Sequence, residues 1–445
     1  MIAAGKELAE AIAARLREHG HQAFLVGGCV RDLLLGREPK DFDVATSAPP
    51  EVVLSLFPDA QQVGAHFGVV HVRSGGAQVE VATFRSDYSY HDGRRPGRVE
   101  FETDPREDAR RRDFTINALL LDPATGAVLD FVGGRKDLEA RIVRAIGDPD
   151  ARFREDHLRM LRAVRIAAAY GFEIEPATLE AIRRNLARIH RVAAERVRDE
   201  LARILTEGGA RRGFELLDET ALLEQILPEI AAMKGVPQPP QYHPEGDVWI
   251  HTRLMLEQMR EPSLTLALGV LLHDVGKPPT FEIADRIRFN GHAHVGARMA
   301  VNIMSRLRFG SAEIRRVEML VAQHSKFQEI TKMRESTLKR FLRQDGFPEL
   351  LELHRIDCLA SHRQLANYEF ARHKLAEYAQ EQLKPAPLIT GRDLISAGYQ
   401  PGPRFKQILQ AVEDAQLESR IQSQEEAFEF VRRQFPADGP DQAGL

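Results

Sequence analysis

The sequence is poor in cysteine and has no long apolar run. Its 445 residues include only Cys29 and Cys358, which are too few for a framework of disulfide bonds. The longest apolar run, residues 264–272, is shorter than the roughly 20 residues that a helix needs to cross a bilayer. The opening residues, MIAAGKELAEAIAARL, predict an amphipathic helix of mixed charge rather than a secretory signal. We therefore expect a cytoplasmic protein without a membrane-spanning segment.

The chain also lacks a strong charge of either sign. Its 61 basic and 65 acidic side chains leave a net charge of −4 and a pI near 6.5. Binding to nucleic-acid phosphates normally needs basic surface, so any such surface must be segregated. Arginine-rich segments at residues 110–112, 141–165 and 183–203 are candidates, although helical arginines are often only solvated or paired four residues apart. We expect a modest nucleic-acid contact area at most.

Composition and hydrophobic spacing divide the chain into four predicted regions. Its length allows more than one core. Residues 1–147 mix a helix with short strands, and residues 148–233 have apolar positions three and four apart, which predicts helices. After a proline-rich connection, residues 248–380 are again helical and rich in histidine. Residues 384–435 predict a small helical tail.

The most informative segment reads FLVGGCVRDLLLGREPKDFDVAT, residues 24–46. Gly27 and Gly28 follow a short apolar run, and glycine lets a backbone approach a phosphate closely. Asp41 and Asp43 are two apart, so on a strand both carboxylates would face the same side. Mg²⁺ takes carboxylate oxygens together with substrate phosphates. The pattern predicts a site for a divalent cation and a nucleoside triphosphate, whereas the Asp pair alone is more often simply solvated.

Two further residues belong to this prediction. The segment VEVATFR alternates apolar and polar residues and brings Glu80, a candidate third carboxylate, unless Glu80 is only an outward-facing strand residue. Arg31 can donate charge-assisted hydrogen bonds to a triphosphate. The alternative for Arg31 is a helix-surface pair with Asp32.

The order of these features resembles the nucleotidyltransferase superfamily. Within it, the match is to the bacterial class II CCA-adding tRNA nucleotidyltransferase and poly(A) polymerase family. The resemblance continues through residues 111–119 (ribose contacts), 131–168 (hinge and base reading), 195–205 (a helix bracing the neck) and 388–409 (tail). It implies an α+β protein, in which a polymerase-beta-like α/β head with a mainly antiparallel sheet precedes an all-helical neck, an HD body and a tail.

The resemblance also implies the chemistry of the head. The expected reaction adds C and A, from CTP and ATP, to tRNA 3′ ends without a nucleic-acid template. Asp41 and Asp43 are the implied Mg²⁺ ligands, and Glu80 acts on the primer side. Asp113 lies in the segment that the resemblance assigns to ribose binding, and its alternative role is the N-cap of the helical segment that follows it. The implied nucleotide-binding residues are Gly27, Gly28, Arg31, Arg112, Asp113, Asn117, Asp156, Arg159 and Arg162.

Base selection is assigned to the segment EDHLRMLRAVR. Asp156 and Arg159 are three apart and should share a helix face, above a buried stripe of Leu158, Leu161 and Val164. Cytosine and adenine both present an amino donor beside a ring-nitrogen acceptor, and uracil and guanine present the reverse order. An Asp acceptor beside an Arg donor would therefore accept C and A and reject U and G. The alternative is an ordinary helix ion pair.

Nine of the sixteen histidines lie between residues 243 and 373. The segment LLHDVGKP and the spacing of the histidines around it resemble the HD phosphohydrolase superfamily. Imidazole with carboxylate suits Mn²⁺, Fe, Ni²⁺ or Co²⁺, and the implied reaction is hydrolysis of phosphomonoesters or 2′,3′-cyclic phosphates. Lys277 either contacts phosphate or caps a helix, and His243 is assigned to surface or packing. The implied metal ligands are His251, His273, Asp274, His292, His324 and Asp357.

Other interpretations stay open at this point. A poly(A) polymerase shares every head motif, although the low pI and the HD region argue against it. A CC-adding or A-adding specialist also fits. A regulatory HD hydrolase with a binding-only head is a different class, and the intact Asp41, Asp43 and Glu80 argue against it. The glycine- and proline-punctuated segment 88–107 predicts a mobile loop near the active site. The sequence leaves the oligomeric state unknown.

Overall fold

The computed structural model describes residues 2–62, 68–90, 93, 96–241, 243–378 and 383–436. The chain divides into two compact units: Met1–Lys234 with Ile303–Gly310, and Gly235–Asn302 with Ser311–Leu445. The domain boundaries drawn from the sequence stay predictions. Among the helices of the described residues, none is long and apolar enough to cross a membrane.

A seven-stranded sheet forms the core of the head, in the order β3-β4-β5-β2-β1-β8-β9. Strands β2 and β5 are parallel, and the other neighbours pair antiparallel, so the expected mainly antiparallel α/β head is confirmed. The strands of the head are β1 (Ala23–Val26), β2 (Asp43–Thr46), β3 (Gln61–Gln62), β4 (Val69–Ser74), β5 (Ala77–Thr83), β6 (Arg85–Tyr90), β7 (Pro96–Phe101), β8 (Leu120–Leu121) and β9 (Val128–Leu129).

Helix α1 (Ile2–Glu18) packs against β1 and β5 of this sheet. Its buried residues Ala9, Ile12, Ala13 and Leu16 are three or four apart, which gives the helix one apolar face. Strand β1 has the sequence AFLV and is buried along its whole length. The remaining helices of the head are α2 (Gly28–Leu34), α3 (Pro50–Leu56), α4 (Pro105–Arg110) and α5 (Gly134–Glu139).

The segment predicted as a mobile loop is largely regular structure, and that prediction is wrong for most of it. Strands β6 and β7 form an antiparallel hairpin, with Arg85 opposite Phe101 and Tyr90 opposite Pro96. Helix α4 follows, and Asp104 caps it by accepting a hydrogen bond from the Arg106 backbone N–H. Of the five residues 91–95, only Gly93 belongs to the described residues. The glycines and prolines of this segment lie at or near the ends of strands and helices and do not indicate one long loop.

The neck is helical as expected, apart from a short parallel ladder between β10 (Ile142–Val143) and β11 (Glu173–Ile174). Helix α9 packs against α7, and α10 packs against both. The neck helices are α6 (Pro149–Glu155), α7 (Arg159–Tyr170), α8 (Pro176–Asn185), α9 (Ala194–Thr206), α10 (Ala210–Glu219), α11 (Leu222–Ile226) and α12 (Pro228–Ala231).

The second unit is built around α14 (Leu264–Leu272), whose sequence LTLALGVLL is apolar on nearly all sides. It packs against α13, α16 and α18, which explains that composition. Strands β12 (Phe281–Ile283) and β13 (Ile287–Phe289) form a hairpin. The other helices are α13 (Val248–Gln258), α15 (His292–Arg306), α16 (Ser311–Gln323), α17 (Glu335–Leu342), α18 (Phe347–Ala360), α19 (Ala366–Glu377), α20 (Gly391–Ser396), α21 (Pro403–Leu417) and α22 (Gln424–Gln434).

Candidate functional sites

Two of the three predicted carboxylates of the head are neighbours in the sheet, and the third lies just before it. Asp43 and Glu80 are register partners where β2 and β5 pair in parallel. Asp43 is the first residue of β2, so Asp41 lies just before the strand and not on it. Burial, the Glu80 charge and then the Asp41 charge raise the pKa of Asp43 to about 7. Carboxylates that oppose one another's ionisation are a donor set that a divalent cation stabilises, so these residues fit Mg²⁺.

A polar cavity of about 560 Å³ opens beside these carboxylates. Eleven of the twelve residues predicted from the sequence for nucleotide addition, in head and neck, line this cavity, and Glu80 is the exception. Glu80 is exposed, and its carboxylate lies 3.6 Å from His71 Nε2 on β4. The eleven are Gly27, Gly28, Arg31, Asp41, Asp43, Arg112, Asp113, Asn117, Asp156, Arg159 and Arg162.

Gly27 leaves space between the side chains of Arg112 and Asp43 in the cavity. Its φ of +85° is one that L side chains rarely adopt. A Cβ at this position would lie 3.6 Å from Arg112 Nη1 and 3.7 Å from Asp43 Oδ2. The glycine therefore keeps the space between these two groups open for a ligand.

Arg31 makes the contact with Asp32 that was its alternative role, and it also lines the cavity. Its Nε and Nη2 donate to Asp32 Oδ1 at 3.0 and 2.9 Å, and its Nη1 donates to Asn117 Oδ1 at 2.6 Å. The residue is only 7% exposed. The pair with Asp32 is thus part of a buried network at the cavity wall and not a surface ion pair.

Asp113 connects the ribose segment to the neck. Its carboxylate accepts from Arg162 Nε at 2.8 Å, from Asn117 Nδ2 at 3.1 Å and from the Phe114 backbone N–H at 2.8 Å. Although burial opposes ionisation, the Arg162 and Arg159 charges hold the pKa of Asp113 well below its usual range. The N-cap alternative is wrong, because Phe114 is the N-cap of the short 3₁₀ helix Thr115–Asn117 and the Asp113 side chain does not cap it.

Asp156 and Arg159, the pair predicted to read the base, do not share a helix face, so that part of the prediction is wrong. Helix α6 ends at Glu155, Asp156 has an extended backbone, and α7 begins at Arg159. Asp156 Oδ1 accepts from the Leu158 N–H at 3.1 Å, which stabilises a turn where the spacing predicted continuous helix. The expected stripe of Leu158, Leu161 and Val164 is buried.

Each member of this pair is held by another residue. Arg196 on α9 donates to both oxygens of Asp156, at 3.3 and 3.0 Å. Arg159 Nη1 donates to Glu155 Oε2 at 2.7 Å and to the Arg152 carbonyl at 3.1 Å. The two side chains line the same cavity as independently fixed groups, an acceptor and a donor.

The six predicted metal ligands of the second unit converge from separate elements. They form two groups, His251 with His273 and Asp357, and Asp274 with His292 and His324. Within each group the ligand atoms lie within 4.8 Å of one another. Asp274 Oδ2 lies 3.0 Å from His273 Nε2, and Asp274 Oδ1 lies 3.8 Å from the Nε2 atoms of His292 and His324. The Asp274 carboxylate therefore stands between the two groups.

Hydrogen bonds at Nδ1 orient all four rings. Nδ1 of His273, His292 and His324 lies 2.7–2.9 Å from the carbonyl oxygen three residues earlier in the chain. Nδ1 of His251 lies 2.7 Å from Glu245 Oε1. At the three rings that face a carbonyl oxygen, Nδ1 is then the protonated nitrogen and Nε2 is the candidate ligand atom. Nε2 of His251 lies 3.2 Å from Asp357 Oδ1, and the Asp357 and Glu245 carboxylates outweigh burial and raise the pKa of His251 to about 9. Burial lowers the pKa of His324 to about 3. This donor set fits a divalent transition metal.

Sequence reasoning missed some residues near this site and left others open. Glu245 Oε1 also lies 2.9 Å from His243 Nδ1, and the His243 ring packs against the His251 ring, so of the two alternatives for His243 the structure supports packing. Lys277 is buried, and its side chain pairs with Asp274 Oδ2 at 2.6 Å rather than with a helix end. Gly276 has no room for a Cβ, which would lie 2.1 Å from the His292 carbonyl oxygen. That close approach brings the segment with His273 and Asp274 against α15. In the sequence, Gly276 is the residue that could have indicated this contact.

Three family models match the chain. They are "Poly A polymerase head domain" at residues 23–144, "Probable RNA and SrmB- binding site of polymerase A" at residues 171–234, and "HD domain" at residues 246–369. The chain is 32% identical, over 426 residues and 93% of each chain, to a CCA-adding enzyme of Lactobacillus helveticus. The chain belongs to the bacterial CCA-adding enzyme and poly(A) polymerase family. The family assignment made from the motifs is thereby confirmed.

Members of this family that resemble the chain are named for different reactions. A CC-adding tRNA nucleotidyltransferase of Thermus thermophilus is 34% identical over 424 residues, 92% of this chain and 93% of that one. The crystal structure of the Bacillus stearothermophilus CCA-adding enzyme in complex with CTP superposes with a TM-score of 0.73 at 27% identity, over 96% of this chain and 97% of that chain. The matched part spans about half the length of the curated relatives with 42–45% identity.

Proposed function

We propose that the head adds CCA to the 3′ ends of tRNA, taking C and A from CTP and ATP without a nucleic-acid template. The observation that carries this proposal is the register of Asp43 with Glu80, next to Asp41 and beside a cavity of nucleotide size. The family, with its CCA-adding relative and the CTP complex of a 27% identical enzyme, supports the same reaction. A cytoplasmic location accompanies the proposal.

The residues divide the reaction among them. The 3′-hydroxyl oxygen of the tRNA attacks the α-phosphorus of the nucleotide, and pyrophosphate leaves. Glu80 receives the hydroxyl proton, and Arg31 and Arg112 neutralise the triphosphate at the opening beside Gly27. Mg²⁺ held by Asp41 and Asp43 would activate the attacking oxygen and neutralise the leaving group. Asn117, Asp113 and Arg162 hold the ribose side of the cavity.

Base choice rests on Asp156 and Arg159. Asp156 accepts from the exocyclic amino group of C or A, and Arg159 donates to the neighbouring ring nitrogen. Arg196 and Glu155 hold these two side chains in place, so the selection depends on fixed protein groups and needs no template strand.

The test is an incorporation assay with each labelled NTP in turn. The primers are tRNAs that end at the discriminator base, at C and at CC. We expect C on the first two and A only on the third, with UTP and GTP hardly used. Incorporation of A on all three primers would favour a poly(A) polymerase, and no use of the CC primer would favour a CC-adding specialist like the Thermus relative.

We also propose that the second unit hydrolyses phosphomonoesters or 2′,3′-cyclic phosphates with Mn²⁺, Ni²⁺, Co²⁺ or Fe. The convergence of six ligand residues, four histidines and two aspartates, supports this activity. Such hydrolysis would repair damaged tRNA 3′ ends before addition. His273→Ala with Asp274→Ala should abolish hydrolysis and leave nucleotide addition intact. Hydrolysis that survives in this double variant would contradict the assignment of the site.

A further inference from the structure

Tyr170 is the last residue of α7 and lies against the arginine assigned to the triphosphate. The centroid of its ring is 4.2 Å from Arg31 Cζ and 4.7 Å from Arg37 Cζ. Its hydroxyl donates to Asp32 Oδ1 at 2.6 Å and accepts from Arg31 Nη2. Arg31 and Arg37 also line the cavity. A half-buried aromatic ring at this distance from two guanidinium groups attracts both.

The position of Tyr170 on its helix adds a second relationship. Residues 159, 162, 166 and 170 are spaced three, four and four apart, so they occupy one face of α7. All four line the cavity. The base-reading end of the helix is Arg159, and the opposite end is Tyr170 in contact with Arg31. One helix thus touches both the group that selects the base and the group assigned to the phosphates.

We propose that Tyr170 is a positioning residue that holds Arg31 at the triphosphate, through its ring face and its hydrogen bond to Asp32. This proposal rests on the proposed nucleotidyl transfer. It goes beyond that function because it gives a residue outside the head motifs an indirect role in phosphate binding. Asp32 restrains Arg31 on one side and Asn117 on another, and the ring covers the guanidinium. Without the ring, Arg31 would sample other rotamers at the cost of NTP affinity but not of base choice.

The experiment compares Tyr170→Leu, which removes ring and hydroxyl, with Tyr170→Phe, which keeps the ring. Tyr170→Leu should raise the KM for both CTP and ATP about fivefold to tenfold. The preference over UTP and GTP should stay unchanged, and kcat should change less than KM. Tyr170→Phe loses only the hydrogen bonds of the hydroxyl and should raise the KM by no more than about twofold, because the cation–π contact remains. Tyr170→Met is the second variant if the Leu variant does not fold.

Two readouts separate this role from a purely structural one. Inorganic tripolyphosphate carries no base, so calorimetry should show weaker binding to Tyr170→Leu than to the wild type by the same factor as the KM. In an Arg31→Ala background, Tyr170→Leu should affect KM much less than in the wild type, since the ring acts mainly through Arg31 and only its contact with Arg37 remains. Additive effects, or an unchanged KM in a folded Leu variant, would overturn the proposal.

The same measurements distinguish failure of the proposed function from failure of the role proposed for Tyr170. A wild-type protein that adds no nucleotide would refute the proposed function. Tripolyphosphate binding would then still decide the role of Tyr170, because it does not depend on turnover. An active enzyme whose tripolyphosphate affinity is the same with and without the ring would refute the role of Tyr170 alone.

Discussion

Asp43 on β2 is the direct register partner of Glu80 on β5. The two residues are far apart in the sequence, and the parallel pairing of their strands makes them neighbours. Together with Asp41 they concentrate negative charge next to a cavity that also contains arginines. Charge repulsion of this kind costs stability in the free protein, and a bound cation offsets it.

Replacing Asp43 with Asn should therefore separate activity from stability. Nucleotide addition should fall by at least about 100- to 1,000-fold, the usual cost of removing a preorganised charged group. In EDTA the free energy of unfolding should increase by on the order of 1 kcal/mol, because like-charge repulsion is relieved, and the thermal midpoint should rise accordingly. Asp59→Asn, at an exposed acidic residue of the head, is the control and should change neither. Substantial addition by the Asp43 variant at saturating Mg²⁺ would contradict the metal-site assignment.

Arg196 is expected to influence base choice without touching the base. Asp156→Ala should cost roughly 1–3 kcal/mol of selectivity for C and A over U and G. Arg196→Ala should cause a smaller loss of the same kind, because it frees the Asp156 carboxylate. Arg198→Ala on the same helix is the matched control, since Arg198 donates to the Arg308 carbonyl and does not line the cavity. Competition between labelled NTPs measures the effect, and an unchanged ratio in Asp156→Ala would reduce this pair to a structural contact.

Gly93 links the β6–β7 hairpin to the turn between α6 and α7 that contains Asp156. Its carbonyl accepts from the His157 N–H at 3.1 Å, and a Cβ on Gly93 would lie 2.1 Å from His157 Nε2. Gly93→Ala, like deletion of residues 93–97, should impair A addition more than C addition, because the pocket must change shape between them. Gly76→Ala is the control, with a similar positive φ and no neighbour within 4 Å of its Cβ. Equal losses of C and A addition would argue against a role for the hairpin in the switch.

Glu245 should determine the metal affinity of the second unit. It fixes His251 Nδ1, so Glu245→Gln should weaken binding of Ni²⁺ or Mn²⁺ about 10- to 100-fold, as removal of such an outer partner typically does. Calorimetric titration of the apoprotein is the measurement. Glu282→Gln, at an exposed glutamate of β12, should bind metal like the wild type. Unchanged affinity in Glu245→Gln would mean that the carboxylate only packs beside the histidine.

Predictions from the sequence succeeded where residue types and their order along the chain are sufficient. The six HD residues were identified because their types and order are distinctive, and the structure brings them together. The helix face of Asp156 and Arg159 was predicted wrongly, because a spacing of three is the same whether or not the helix is interrupted between them. Glu245 and Tyr170 were missed since their roles depend on contacts that only the folded chain creates: a turn before α13, and the approach of α7 to Arg31.

The most direct test of the account is the product formed on tRNA that ends at the discriminator base, with CTP and ATP supplied together. An enzyme that selects bases with the Asp156 and Arg159 groups of one cavity is predicted to add C, C and A and then to stop. Sequencing of the 3′ ends gives the answer, with Asp43→Asn as the inactive control. Ends that carry CCA and nothing further are the predicted result. Long A tails, or ends that stop at CC with ATP present, would contradict it.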